Sequence, residues 1–180
     1  VVFALSASAL APALSASALA ESARLPERIL RLLWWTDVGF PSPFAFSTVG
    51  PGGVVRVSLI YDALTWKDER GAIPWLAQAW RASPDGLRYT FELHPGAVWH
   101  DGRPVTARDV QFTFAYYRAH PFAWTDTQVV DRVIVEGQRT LTFLLREPYA
   151  PFLEEVAGIA PVVPAHVWEG IAEPRREQSP

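Results

Sequence analysis

Between Leu76 and Val110 apolar and polar residues alternate, break at a turn, and alternate again. Ala77, Ala79 and Arg81 alternate with Gln78, Trp80 and Ala82, and the run stops at Ser83-Pro84-Asp85-Gly86. Pro84 presets φ for a turn, and Gly86 can take the positive φ that closes it. From Arg88 to Leu93 a second run puts Tyr89, Phe91 and Leu93 on one face. Together the runs predict a β-hairpin. His94-Pro95-Gly96 and His100-Asp101-Gly102 mark further turns, with Val98 and Trp99 between them as apolar anchors. Thr106 ahead of Asp109 predicts a helix start, with a hydroxyl at the N-cap and a carboxylate near the positive end of the helix dipole. Val110, Phe114 and Tyr117 then share a helical face, widened by Phe112 and Tyr116, and His120-Pro121 ends the helix.

Downstream, Val129–Glu136 and Thr140–Leu145 predict a second hairpin around Gly137-Gln138-Arg139, with Leu141, Phe143 and Leu145 on one face. A short helix is predicted over Ala150–Val156. Pro161-Val162-Val163-Pro164 reads as extended, and Pro164 suits the first position of a last helix, Ala165–Gly170. Upstream, the short apolar run Arg28–Trp35 reads as a buried strand. Thr36–Gly53, rich in Pro and Gly, fits no regular element. Its aromatics Phe40, Phe44 and Phe46 either fold over the core or line a pocket. Val54–Leu64 reads as a helix by length, although its β-branched residues favour a strand. Thr65–Gly71 reads as a charged turn, and Tyr61, Asp62 and Trp66 gather at the predicted helix end.

Composition narrows the function. The chain has 180 residues, a length for one domain, and a net charge of −3 that gives no electrostatic case for nucleic acid. There is no cysteine, so disulfides and thiolate sites are excluded. There is also no methionine, and with the loop-like end Pro174–Pro180 this reads as a piece of a longer gene. Val1–Ala20 is apolar, uncharged and ends in Ala18-Leu19-Ala20, which fits a truncated secretory leader cleaved before Glu21. A lipid anchor would need a cysteine at that point. His94, His100, His120 and His166 are scattered without metal-ligand spacing, and no nucleophile elbow or phosphate loop occurs. Glu147, Glu154 and Glu155 could pair as acids for glycoside hydrolysis but fit a solvated face better. Eight tryptophans could stack on sugars or peptides, and most fit the core or its edge.

The residues Leu76-Ala77, Trp80, Ser83-Pro84-Asp85-Gly86-Leu87, Tyr89-Thr90-Phe91, Leu93, Pro95-Gly96, Trp99-His100-Asp101-Gly102, Pro104, Thr106-Ala107 and Asp109-Val110 stand in fixed order and spacing. In this the chain closely resembles the extracellular solute-binding proteins of the peptide/nickel class, the receptors that feed ABC importers. The resemblance extends more weakly from Arg28 to about Gly170. It implies an α+β, mixed-sheet fold of the type II periplasmic binding protein kind, incomplete, with part of the first lobe and the small peripheral lobe. Residues 21–74 would begin the first lobe, 75–158 form the peripheral lobe, and 159–180 return to the first. It implies no enzyme activity, no cofactor and no metal. The chain would be a monomer in the periplasm, not lipid-anchored. Its partners would be a peptide or similar small solute and the permease subunits of the importer. It also places Phe40, Phe44, Phe46, Tyr61, Asp62 and Trp66 near the ligand cleft. Two other classes remain open on the residues alone: a secreted carbohydrate-active enzyme, and a secreted α+β domain without a ligand.

Overall fold

The computed structural model describes residues 42–44 and 57–176. Its strands run β1 (Thr65–Asp68), β2 (Gly71–Pro74), β3 (Ala77–Ala82), β4 (Arg88–Leu93), β5 (Val130–Val135) and β6 (Thr140–Leu145). Helix α1 (Ala107–Ala119) lies between β4 and β5, and α2 (Ala165–Trp168) comes last. All of them belong to one compact unit spanning 38–180. The predicted leader, the strand Arg28–Trp35, and Phe40 and Phe46 lie outside the described residues.

The alternating runs behave as their period demands. β3 and β4 are antiparallel neighbours, with Trp80 opposite Phe91 and Ala82 opposite Tyr89. Gly86 closes their turn with φ of 69°, a conformation that needs no Cβ. Asp85 locks the same turn. Its carboxylate accepts from the Ser83 hydroxyl and the Leu87 N–H, and these bonds hold its carboxyl below the usual range. The second hairpin pairs β5 with β6, and β4 pairs with β6 through Phe91 opposite Leu141 and Tyr89 opposite Phe143. The two hairpins therefore merge into one four-stranded sheet, β3-β4-β6-β5, and β1-β2 forms a separate ribbon. Every strand pair among the described residues is antiparallel, where a mixed sheet was expected. Both edge strands carry a bulge, β3 between Ala77 and Ala79 and β5 between Val130 and Arg132.

One face of the sheet is apolar and buried. Tyr89, Phe91, Leu93, Leu141, Phe143 and Leu145 meet Val110, Phe114 and Tyr117 of α1. Phe114 stands edge-on to Phe143 at 4.7 Å. Phe152, on a π-helical turn (Phe152–Val156) where a short helix was predicted, fills the end of this layer beside Tyr89.

The start of α1 ties down the chain end. Thr106 is the N-cap, extended at φ −127° and ψ 164°, and forms a capping box with Asp109. Its backbone N–H and its hydroxyl both donate to Asp109 Oδ2, at 2.8 and 2.7 Å. Asp109 Oδ1 accepts the N–H of Ala165 at 3.0 Å, so one buried carboxylate joins the starts of both helices. Two further side chains of α1 hold the segment before α2. The Val163 N–H donates to the Thr113 hydroxyl at 3.0 Å, and the Tyr117 hydroxyl donates to the Pro161 carbonyl at 2.6 Å. Thr106→Ala removes one donor to Asp109 but leaves the carboxylate its backbone partners. It should cost only about 1 kcal/mol in a denaturant melt.

Four expectations need correction. The predicted helix Val54–Leu64 does not reach Leu64: among the described residues it ends at Ser58, and the Tyr61 N–H closes a last turn on the Val57 carbonyl at 2.8 Å. The next residues leave the helix because tertiary partners claim their backbone. Val162 N–H takes the Asp62 carbonyl, Ala77 N–H takes that of Leu64, and the N–H groups of Leu64 and Thr65 both reach Ala157. Thr65–Gly71 is no simple turn but β1 and the start of its ribbon. The Thr65 hydroxyl donates to the Leu153 carbonyl, which fixes the ribbon to the π-helical turn. Val98 is 61% exposed and anchors nothing, whereas Trp99 packs against the core. Pro164 is the N-cap of α2 rather than its first residue, and the helix stops at Trp168 instead of Gly170.

Candidate functional site

The six residues expected at the cleft fall into three places. Phe40 and Phe46 lie outside the described residues. Phe44 is buried, its ring 4.9 Å from Trp168, 5.2 Å from Tyr116 and 5.5 Å from Tyr117. In the described structure it takes the first of the two roles open to it, folded over the core. Tyr61, Asp62 and Trp66 lie on the strip that leads from the helical turn into β1.

Tyr61 packs half-buried against the core. Burial raises its phenol above the ordinary value, partly offset by the Trp168 indole N–H that it faces. That N–H is buried and completes no hydrogen bond among the described residues. The Tyr61 hydroxyl is therefore a neutral group, able to donate or accept, at physiological pH.

Asp62 and Trp66 meet through a residue that the sequence reading left among the possible stackers. Trp75, between β2 and β3, donates its indole N–H to Asp62 Oδ1 at 2.7 Å. Its ring lies 5.8 Å from that of Trp66, tilted by 35°. Trp66 and Trp75 are 43% and 36% exposed. The local fold explains this meeting. Trp66 is paired with Ile73 across the β1-β2 ribbon, which puts it on the same side as the chain leaving β2 towards Trp75. The signal was Ile73-Pro74-Trp75 itself, a tryptophan held straight after a proline. It could not be used while Thr65–Gly71 was read as a turn.

The other polar groups are structural or solvated. Asp101 accepts the Arg103 N–H in its own turn and also meets His166 Nε2 at 2.8 Å. The turn thus accounts for only part of its role, and the Arg103 N–H followed by the His166 contact keeps its carboxyl below the usual range. Glu147, Glu154 and Glu155 are exposed, and Glu155 accepts from the Tyr149 hydroxyl. No group of three or more His, Cys, Asp or Glu able to hold a metal ion occurs among the described residues. None of the described helices is long and apolar enough to cross a membrane.

The fold and the signature hairpin define the α+β class of periplasmic binding proteins. The family model "Bacterial extracellular solute-binding proteins, family 5 Middle" matches residues 71–179, from β2 through α2, and the chain belongs to this family. Over 118 residues it is 35% identical to the probable peptide-binding protein YejA of Agrobacterium fabrum, covering 63% of this chain and 19% of that one. Over 129 residues it is 30% identical to the nickel-binding periplasmic protein of Escherichia coli, covering 69% and 24%. Among solved structures it resembles the periplasmic oligopeptide-binding protein of Thermotoga maritima with mannohexaose bound. The TM-score is 0.65 at 27% identity, over 77% of this chain and 26% of that one. It likewise resembles NikA of Brucella suis in complex with Fe(III)-EDTA, with a TM-score of 0.60 at 26% identity, over 73% and 26%. The chain thus spans about a fifth to a quarter of the length of these curated relatives.

Proposed function

We infer that the chain is part of the substrate-binding component of an ABC importer, which captures a peptide or related small solute in the periplasm and delivers it to permease subunits. The observation that carries this reading is the family match over 71–179, the stretch that folds here into the four-stranded sheet, α1 and α2. The names of the relatives, peptide-binding and nickel-binding, support the solute class, and family membership supports the location. On this reading residues 75–158 form the peripheral lobe and 159–180 rejoin the first lobe, with Tyr61, Asp62 and Trp66 at the mouth of the cleft. Phe44 supports that strip from beneath, through Trp168 and Tyr117. The family's non-enzymatic character speaks against the carbohydrate-active alternative. Deleting the gene that encodes the chain tests the reading. Cellular uptake of at least one among labelled dipeptides, oligopeptides and nickel chelates should fall several-fold. Unchanged uptake of all of them overturns it.

A further inference from the structure

Asp62, Trp66 and Trp75 bring two half-exposed indoles and a carboxylate together at one corner. Asp62 Oδ1 is taken by the Trp75 N–H at 2.7 Å, and Oδ2 has no partner among the described residues. Two half-exposed rings, tilted by 35°, offer a wedge that would suit many apolar groups. The carboxylate decides among them. An indole that donates its N–H to an anion gains electron density on its ring, and the ring face already attracts cations. Asp62 adds a full negative charge beside that face. Covering this corner with an uncharged apolar group would strip water from the carboxylate without compensation, which is strongly unfavourable. Of the neighbouring charges on the ribbon, Asp68, Arg70 and Lys67 are engaged or turned away, and Glu69 stands exposed in the turn between the strands. Asp68 is paired with Arg70 at 3.0 Å, and Lys67 alternates to the opposite side of β1 from Trp66.

We propose that the Asp62–Trp75–Trp66 corner binds the ammonium or guanidinium group of a cationic solute. The indole faces take the charge and its attached methylenes, and Asp62 Oδ2 completes the ion pair. This deepens the receptor reading, on which it rests only for the assumption that the occupant is a small solute. The corner is built by the chain itself, so it can be tested on the 180-residue protein.

The test is a titration followed by the indole N–H resonances of Trp66 and Trp75, assigned with Trp66→Phe and Trp75→Phe. Four probes separate the chemistries. N-acetyl-lysine amide and N-acetyl-arginine amide carry only a side-chain charge. Alanine amide carries only an α-ammonium, and N-acetyl-norleucine amide is the neutral match for lysine. At least one cationic probe should bind about five- to tenfold more tightly than the norleucine derivative. Which one does so tells whether the charge comes from an amino terminus or a side chain. Asp62→Asn keeps an oxygen for the Trp75 N–H and removes only the charge, and it should weaken the cationic probe about threefold while leaving the neutral one unchanged. Equal binding of the norleucine derivative, no response to Asp62→Asn, or no shift with any probe overturns the proposal. A flat titration leaves the uptake result standing, and unchanged uptake in the deletion strain leaves a positive titration standing, so the two readings fail separately.

Discussion

Phe91→Ala should destabilise the protein by about 3–5 kcal/mol, the range for truncating a fully buried aromatic in a packed core. Phe91 has no exposed surface and sits mid-strand in β4, between β3 and β6. Its ring stands edge-on to Phe143 at 5.5 Å and lies 6.4 Å from both Trp80 and Phe152. Those contacts come from three other segments of the chain, so the cavity left by alanine cannot be filled by one side chain moving. A denaturant melt reads the effect as a lower midpoint at unchanged slope. A loss no larger than that of Thr106→Ala would show that the sheet tolerates a hole at its centre, and would refute the assignment of Phe91 to the core.

Asp109→Ala should cost about 3–4 kcal/mol, because a buried carboxylate that accepts three hydrogen bonds leaves all three donors without a partner. Two of the donors belong to Thr106 and one to Ala165. The loss should therefore exceed that of Thr106→Ala several-fold and should also loosen α2. Trp168, fully buried on α2, reports that loosening through its fluorescence. An Asp109→Ala variant no less stable than Thr106→Ala would mean that Asp109 only caps α1 and that the link to Ala165 carries no energy.

The sequence was most legible where side-chain period and turn chemistry agree. The strands Ala77–Ala82, Arg88–Leu93 and Thr140–Leu145 occupy their predicted residues, because alternation, Pro84, Gly86 and Gly137 all point the same way. The start of α1 was equally plain from Thr106 and Asp109. The pairing of β4 with β6 was hidden, since no local signal says which strands of two hairpins will meet. The exit from the helical turn at Tyr61 was hidden for the same reason. Its hydrogen-bond partners, Ala77, Ala157 and Val162, lie further along the chain, and they draw Asp62–Leu64 out of the helix. The candidate site shared that blind spot. Asp62 and Trp66 could be picked out as a polar and an aromatic group near an element end. That Trp75 joins them depends on the β1-β2 ribbon, whose four-residue strands are too short for alternation to reveal.

The two bulges have a bearing on how the molecule behaves among copies of itself. A sheet ends in two rows of unpaired N–H and C=O groups, and a flat, regular row is a template on which another chain can add a strand. Here each outer strand is interrupted, β3 near its start and β5 near its start, and each carries an exposed arginine, Arg81 and Arg132. A bulge twists the strand and breaks the spacing that an incoming strand must match over several consecutive residues. Growth of the sheet into a stacked fibril needs that match at every addition. At β5 helix α1 adds a second obstacle: Gln111 donates to the Val133 carbonyl and Arg118 to those of Val130 and Asp131, so that margin is partly taken before any other chain arrives.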